Sequence, residues 1–251
     1  MEFYYHTIKF KIFLPIIRLL SFLYKNETKF KTKEFVYFVP QTFDPITKFL
    51  MKFNIYEKKE RSLLQHMQNN TDIIEAGAGI GLISMYLKKK ILNNRLIMLE
   101  PNKEMNEIIM QNFKANNFNE SEINILNYGL SDSEKKNVVF QKFESDMANT
   151  ISNETLDYNL KKINIDTIDT LSINFIIKKY DIKNFQLVLD IEGEELNVLK
   201  NNNDWLINCQ SILLENHLPS SKLHELNNYV IEKGFKIICK KENVFLFIKN
   251  T

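Results

Sequence analysis

Asp72-Ile-Ile-Glu75-Ala-Gly77-Ala78-Gly79-Ile-Gly81-Leu82 is the stretch that decides how this chain folds. An apolar run enters it, glycines at alternate positions interrupt it, and a helical pattern leaves it. That order predicts a buried strand, a tight turn and a helix. Three of the chain's six glycines stand in this one turn. Glycine is used where backbone angles or close approaches exclude a side chain.

The spacing chooses among ligands. A dinucleotide fingerprint is GxGxxG, with a third glycine where this chain has Leu82. Here an acid, Glu75, instead precedes GxGxG. A carboxylate at a strand end repels a pyrophosphate but suits the ammonium-bearing end of S-adenosylmethionine. A second apolar run, Leu96-Ile-Met-Leu99, ends in Glu100-Pro101-Asn102. An acid at that place hydrogen-bonds ribose hydroxyls. A third element, Asn127-Tyr-Gly129-Leu130-Ser131-Asp132, follows the next strand, where an adenine edge would lie.

Working outward, apolar runs alternate with helical patterns from about residue 71 onward, which argues for βα units and a parallel sheet. Strands are expected at Ile73–Ala76, Leu96–Leu99, Ile123–Tyr128, Leu187–Ile191 and Ser211–Leu214, and helices at Lys103–Asn116, Glu194–Leu199 and Lys222–Lys233. Phe235–Cys239 and Val244–Ile248, joined by a polar turn, read as an antiparallel hairpin. The expected fold is a Rossmann-like, doubly wound, mostly parallel seven-stranded α/β sheet closed by that hairpin. Before it, Phe35–Val39 reads as a strand and Glu57–Met67 as a helix. Residues 1–55 are expected to be an extension that packs on the domain, shapes the acceptor pocket or makes a dimer contact. Residues 56–251 are expected to form the cofactor-binding domain.

Composition narrows the partners. With 33 basic and 31 acidic residues in 251, there is no basic excess to suggest nucleic acid. Abundant Lys and Asn look like coding bias and are discounted as signals. Cys209 and Cys239 lie in no CxxC pair and near no histidine at ligand spacing, so neither a disulfide framework nor a structural zinc site is expected. Reduced thiols fit the cytoplasm. Residues Ile12–Tyr24 are apolar but carry Pro15 and Arg18, and fall short of the roughly 20 residues a membrane span needs. They read as an amphipathic helix that packs on the domain or a second subunit, or that touches a membrane surface peripherally through residues 8–24, with Lys9, Lys11 and Arg18 as its polar face.

The ordered series of motifs resembles the FkbM family of methyltransferases over roughly residues 56 to 217. Tyr56-Glu57 precedes the first core strand, and Glu75-Ala-Gly-Ala-Gly-Ile-Gly81 is similar to the family's acid-x-Gly-Ala-Asn-x-Gly turn. Glu100-Pro101-Asn102, Gly129-Leu130-Ser131-Asp132 and Thr167-Ile-Asp169 follow in the family's order. Leu189-Asp190-Ile-Glu192-Gly193-Glu-Glu195 resembles its D-x-E-G-x-E segment, and Leu214-Glu215-Asn-His217 its acid and histidine after the next strand. Glu75 replaces the commoner aspartate, Gly79 a usual asparagine, and Val188 a frequent lysine. The resemblance implies O-methylation of sugar or natural-product hydroxyls from S-adenosylmethionine. It implies that Glu75, Gly77, Ala78, Gly79, Gly81, Glu100, Pro101, Asn102, Gly129, Leu130, Ser131 and Asp190 bind the cofactor, and that Tyr56, Glu57 and Glu215 face the acceptor.

Asp190, Glu192, Glu215 and His217 fall at carboxyl ends of predicted strands, where open α/β sheets bind ligands. His217, with an ordinary pKa near 6.5, or Asp190 is the expected base, and Glu192 is expected to hold the acceptor or the cofactor's amino group. Glu195 reads as facing the site or, in preference, as a first-turn helix acid, Gly193 as a turn residue and Trp205 as packing. The oxygens of Asp190, Glu192 and Glu215 suit a divalent ion, though no metal is expected. Two other readings remain open: a cofactor-binding subunit without catalysis, and an NAD-dependent oxidoreductase, which Leu82 and the hairpin disfavour.

Overall fold

The computed structural model of the protein describes residues 15–90, 94–119, 123–143 and 162–250. In chain order the strands are β1 (Lys29–Lys31), β2 (Val36–Phe38), β3 (Asp72–Ala76), β4 (Leu96–Leu99), β5 (Ile123–Leu126) and β6 (Gly129–Leu130), then β7 (Lys135–Phe143), β8 (Lys162–Leu171), β9 (Phe185–Leu189), β10 (Cys209–Glu215), β11 (Phe235–Lys241) and β12 (Val244–Lys249). The helices are α1 (residues 15–21), α2 (Pro45–Lys52), α3 (Lys58–Leu64), α4 (Leu82–Lys90), α5 (Lys103–Ala115), α6 (Ile173–Tyr180), α7 (Glu195–Lys200) and α8 (Ser220–Glu232).

Seven strands form the main sheet in the order β11-β12-β10-β9-β3-β4-β5. The five from β10 to β5 run parallel, and β12 is antiparallel to both β10 and β11. This is the expected doubly wound sheet with its terminal hairpin. The order reverses between β3 and β9, which opens a crevice at their carboxyl ends.

Parallel strands covered on both faces read as continuous apolar runs, and β3, β4 and β9 are buried along their whole lengths. Side chains alternate across the sheet. Ile73, Met98, Val188, Leu213 and Leu246 join one core; Ile74, Leu99, Leu189, Leu214 and Phe247 join the other. The second core also holds Trp205, which packs tilted against Phe185 at 6.0 Å. Asp72, at the start of β3, accepts from the Arg95 backbone at 2.9 Å and guanidinium at 2.5 Å, stapling β3 to β4.

The expected strand Ile123–Tyr128 is divided. β5 stops at Leu126, Tyr128 N turns back to the Leu126 carbonyl, and Gly129–Leu130 pairs with β8 in a separate sheet of order β6-β8-β7. The long β7–β8 pair was not expected from the sequence.

Residues on both sides of position 55 share one core. Phe30, Tyr37 and Met51 cluster with Leu63, Ile73 and Met98. Asn112 on α5 and Asn116 at its C-terminal cap, one turn apart, take the place of a neighbouring strand for β2. Asn112 Oδ1 accepts from Phe38 N at 2.5 Å and Asn116 Oδ1 from Val36 N at 2.9 Å, while their amide nitrogens donate to the carbonyls of the same two residues. Asn112 Nδ2 also donates to the Ile80 carbonyl at 2.8 Å, tying this ribbon to the glycine turn.

Residues 8–14 of the expected amphipathic segment lie outside the described residues. In the described part, Ile16, Leu19, Phe22 and Leu23 are exposed, Leu19 by 75%. Among the described residues, no helix is long and apolar enough to cross a membrane.

Candidate active site

The glycine turn is held by neighbouring strand ends. The amides of Gly77 and Ala78 both donate to the Leu99 carbonyl, at 3.0 and 3.2 Å, and Asp190 N donates to the Ala76 carbonyl at 3.0 Å. Gly77 has φ +82°, and a Cβ built on it would lie 1.7 Å from the Asp190 carbonyl oxygen. Only glycine lets β3 and β9 end this close.

Glu100 braces the turn from β4. Its Oε2 accepts from Gly79 N at 2.9 Å and its Oε1 from Asn102 N at 2.8 Å. Burial pushes its pKa up to about 7, against the pull of those two amides. Asn102 in turn caps α5 through Glu104 N, and Asn127 Nδ2 donates to the carbonyls of Glu100 and Pro101. Each Glu100 oxygen retains lone-pair capacity for a ribose hydroxyl.

Glu75 is 2% exposed, and its Oε2 has no hydrogen-bond partner among the described residues. Burial pushes its pKa up to about 8. A buried carboxylate oxygen without a partner is costly unless a cation or donor meets it. S-adenosylmethionine carries an ammonium and a sulfonium, so this position fits the cofactor predicted from the sequence.

Glu75 opens onto a cleft at the carboxyl ends of β3, β9 and β10. Glu57, Glu60, Asp190 and Glu215 line it with Glu75, beside the apolar Ile83, Val188, Leu213 and Val244. The sequence-predicted Glu57, Glu75, Gly77, Ala78, Asp190 and Glu215 thus meet at one cleft. Burial raises the Glu57 and Asp190 pKa values well above the ordinary carboxylate range, and nearby carboxylates, Glu215 among them, add to both. The Tyr56 hydroxyl, raised by burial, feels Glu57, Asp190 and Glu215.

Glu57 has a left-handed backbone, φ +50°. Strain of this kind persists only where surrounding structure enforces it. Arg61 does so, donating to the carbonyls of Asn54 (2.7 Å), Tyr56 (2.8 Å) and Glu57 (3.2 Å). Nothing in the sequence marked Arg61 or Glu60.

Beyond β9, Glu192 (φ +52°) and Gly193 (φ +107°) make a tight turn. The turn brings Glu192 back toward His217. His217 Nε2 lies 3.6 Å from Glu192, 3.7 Å from Asp190 and 3.8 Å from Glu215, and Nδ1 lies 3.2 Å from Glu195 Oε1. Burial alone would lower the imidazole pKa, but these carboxylates override it and push it up to about 10. Nothing in the sequence signalled this departure from the ordinary imidazole pKa near 6.5. Burial raises Glu192 to about 7.

Glu195 is the first-turn acid of α7, as its sequence reading had it. It is fully buried, and its Oε1 accepts from Gly193 N at 3.1 Å while facing His217. The spacing to Asp190 and Glu192 in the D-x-E-G-x-E run was its one sequence signal.

The third expected element lies apart from the cleft lining. Gly129 and Leu130 pair with β8, the Ser131 amide donates to the Leu171 carbonyl at 3.0 Å, and the Ser131 hydroxyl donates to Asp132. The Ser131 amide is therefore not free to read an adenine ring. Gly81 packs its α-carbon against Ile109, where a Cβ would lie 3.2 Å from two side-chain carbons.

Known proteins place this geometry. The chain is 24% identical over 205 residues to the methyltransferase sdnD of Sordaria araneosa, covering 69% of this chain and 77% of that one. Its fold matches the crystal structure of methyltransferase FkbM from Methylobacillus flagellatus KT with a TM-score of 0.52 at 17% identity, covering 96% of this chain. This chain spans 60% of that protein's length. The methyltransferase FkbM domain matches residues 75–237, which run from Glu75 through His217 and into β11. The chain therefore belongs to the FkbM methyltransferase family.

Proposed function

We propose that this protein is an S-adenosylmethionine-dependent O-methyltransferase acting on a hydroxyl of a sugar, glycan precursor or related small molecule. The observation that carries the reading is the convergence of Glu75, Asp190 and Glu215 from three adjacent strand ends on one cleft beside the glycine turn. Glu75 would meet the cofactor's cationic end, and Glu100 its ribose. Bound there, the cofactor supplies an electrophilic methyl group on a sulfonium.

The chain's own residues then have two tasks. They hold an acceptor oxygen in line, which is most of what such a displacement requires, and they take its proton. Glu57 and Glu215 offer carboxylate oxygens to acceptor hydroxyls, and Asp190 is placed to receive the proton. An acid-rich, partly apolar cleft suits a neutral polyhydroxylated molecule better than a nucleic acid, whose phosphates these carboxylates repel.

Free Cys209 and Cys239 are compatible with a cytoplasmic setting. The exposed apolar side chains of residues 16–23 would serve peripheral membrane contact or a homodimer. The activity is tested by incubating the protein with methyl-labelled S-adenosylmethionine and a panel of mono- and oligosaccharides. Transfer of label to a saccharide, lost in Asp190→Asn, supports the reading. Transfer only to a nitrogen or carbon acceptor would replace the O-methyl assignment.

A further inference from the structure

His217 has its two ring nitrogens in different settings. Nδ1 faces the buried carboxylate of Glu195 at 3.2 Å, which Gly193 N braces. The ring is thereby fixed, its side chain only 4% exposed, with Nε2 turned toward Asp190, Glu192 and Glu215. At 3.6 to 3.8 Å those three contacts are too long for hydrogen bonds. Asp190 Oδ1, the oxygen that faces Nε2, is itself buried with no hydrogen-bond partner among the described residues.

We propose that Asp190, Glu192 and His217, with Glu215 at the edge, bind one divalent first-row metal ion such as Mn²⁺ or Zn²⁺. One donor atom from each of the first three lies within 4.8 Å of the others. Atoms sharing an ion at bond lengths of about 2.1 Å stand roughly 3 to 3.5 Å apart, so the His217 contacts, at 3.6 and 3.7 Å, need close by only a few tenths of an ångström and the widest pair by about 1 Å. An imidazole nitrogen held from behind by a carboxylate is the usual support of a metal-bound histidine. A mixed nitrogen and oxygen set favours Mn²⁺ or Zn²⁺ over Mg²⁺ or Ca²⁺.

The sequence alone did not favour a metal, because Asp190 and His217 are 27 positions apart (217 − 190) and no short ligand motif joins them. Parallel pairing of β9 with β10 brings them together. Asp190 and Glu215 also line the cleft, so an ion here would touch an acceptor oxygen and lower its pKa. That consequence rests on the proposed methyl transfer; the site does not.

The test uses the chelator-treated full chain without donor or acceptor. MnCl₂ is titrated in, free Mn²⁺ is followed by electron paramagnetic resonance, and ZnCl₂ is added as competitor. One saturable site is expected, weakened at least about tenfold in Glu192→Gln and in His217→Gln. Circular dichroism verifies that both variants fold, and the S-adenosylhomocysteine affinity of the unaltered chain is measured in parallel by calorimetry. Glu192→Gln, on a turn, supplies the answer should His217→Gln not fold. No saturable binding of either ion by the folded protein, or binding unchanged in the folded variants, overturns the site. Loss of S-adenosylhomocysteine binding in the unaltered chain would instead count against the methyltransferase reading.

Discussion

A methyl group on Gly77 would sit 1.7 Å from the Asp190 carbonyl oxygen, so the first glycine of the turn and the first acid after β9 are fitted to each other. Gly77→Ala must therefore push β3 and β9 apart as well as hold an unfavourable φ of +82°. Gly234 provides the control, with φ +89° and open space around it. Gly234→Ala should cost about 1–2 kcal/mol, the left-handed penalty alone. Gly77→Ala should cost well over 3 kcal/mol in urea unfolding. Equal costs would mean that the close approach is not a constraint.

Asn112 serves β2 and the glycine turn at once. Asn112→Ala leaves the Phe38 and Ile80 backbone groups short of partners, at a cost of about 2–4 kcal/mol. Hydrogen exchange at the Phe38 amide should accelerate with it. Unchanged exchange there would show that the ribbon does not depend on this side chain.

Glu75 sets a pH dependence whose direction follows from its burial. Its folded pKa, about 8, lies above the ordinary carboxylate value of 4.5. The folded state thus binds the extra proton, giving stability that is full below 4.5 and lost as pH rises through 8. The ligand-free protein should lose thermal stability between pH 5 and 9, and Glu75→Gln should flatten that decline. A Glu75→Gln profile parallel to the unaltered protein's would remove Glu75 as its cause.

Arg61 acts through Glu57 by holding the 54–57 turn. Arg61→Ala should raise the acceptor KM about tenfold with little change in kcat, the pattern of lost binding. S-adenosylhomocysteine affinity should be unaltered. A fall in kcat at unchanged KM would contradict the positioning role.

The parallel core was legible because strands buried on both faces leave continuous apolar runs, as in Leu96–Leu99 and Phe185–Leu189. The glycine turn was legible from spacing. α2 escaped notice although Asp44-Pro45 is a capping signature, and Asp44 does accept from Ile46 N and Thr47 N. β8 alternates isoleucine with polar residues, yet Thr167-Ile-Asp169 was read as a motif rather than part of a strand. Asn112 and Asn116 were lost in a background rich in asparagine. The raised pKa of His217 could not be read at all, since it depends on carboxylates that the fold brings from the turn after β9 and the start of α7.

The central claim is that the turn from Glu75 to Gly81, with Glu100, holds S-adenosylmethionine. Calorimetric titration of the protein with S-adenosylhomocysteine tests it most directly, with Glu100→Ala as the comparison. The structure predicts saturable one-to-one binding, weakened at least about tenfold in the variant by loss of ribose contacts and of the Gly79 brace. A folded protein that shows no binding, or binds equally well without the Glu100 carboxylate, would contradict it.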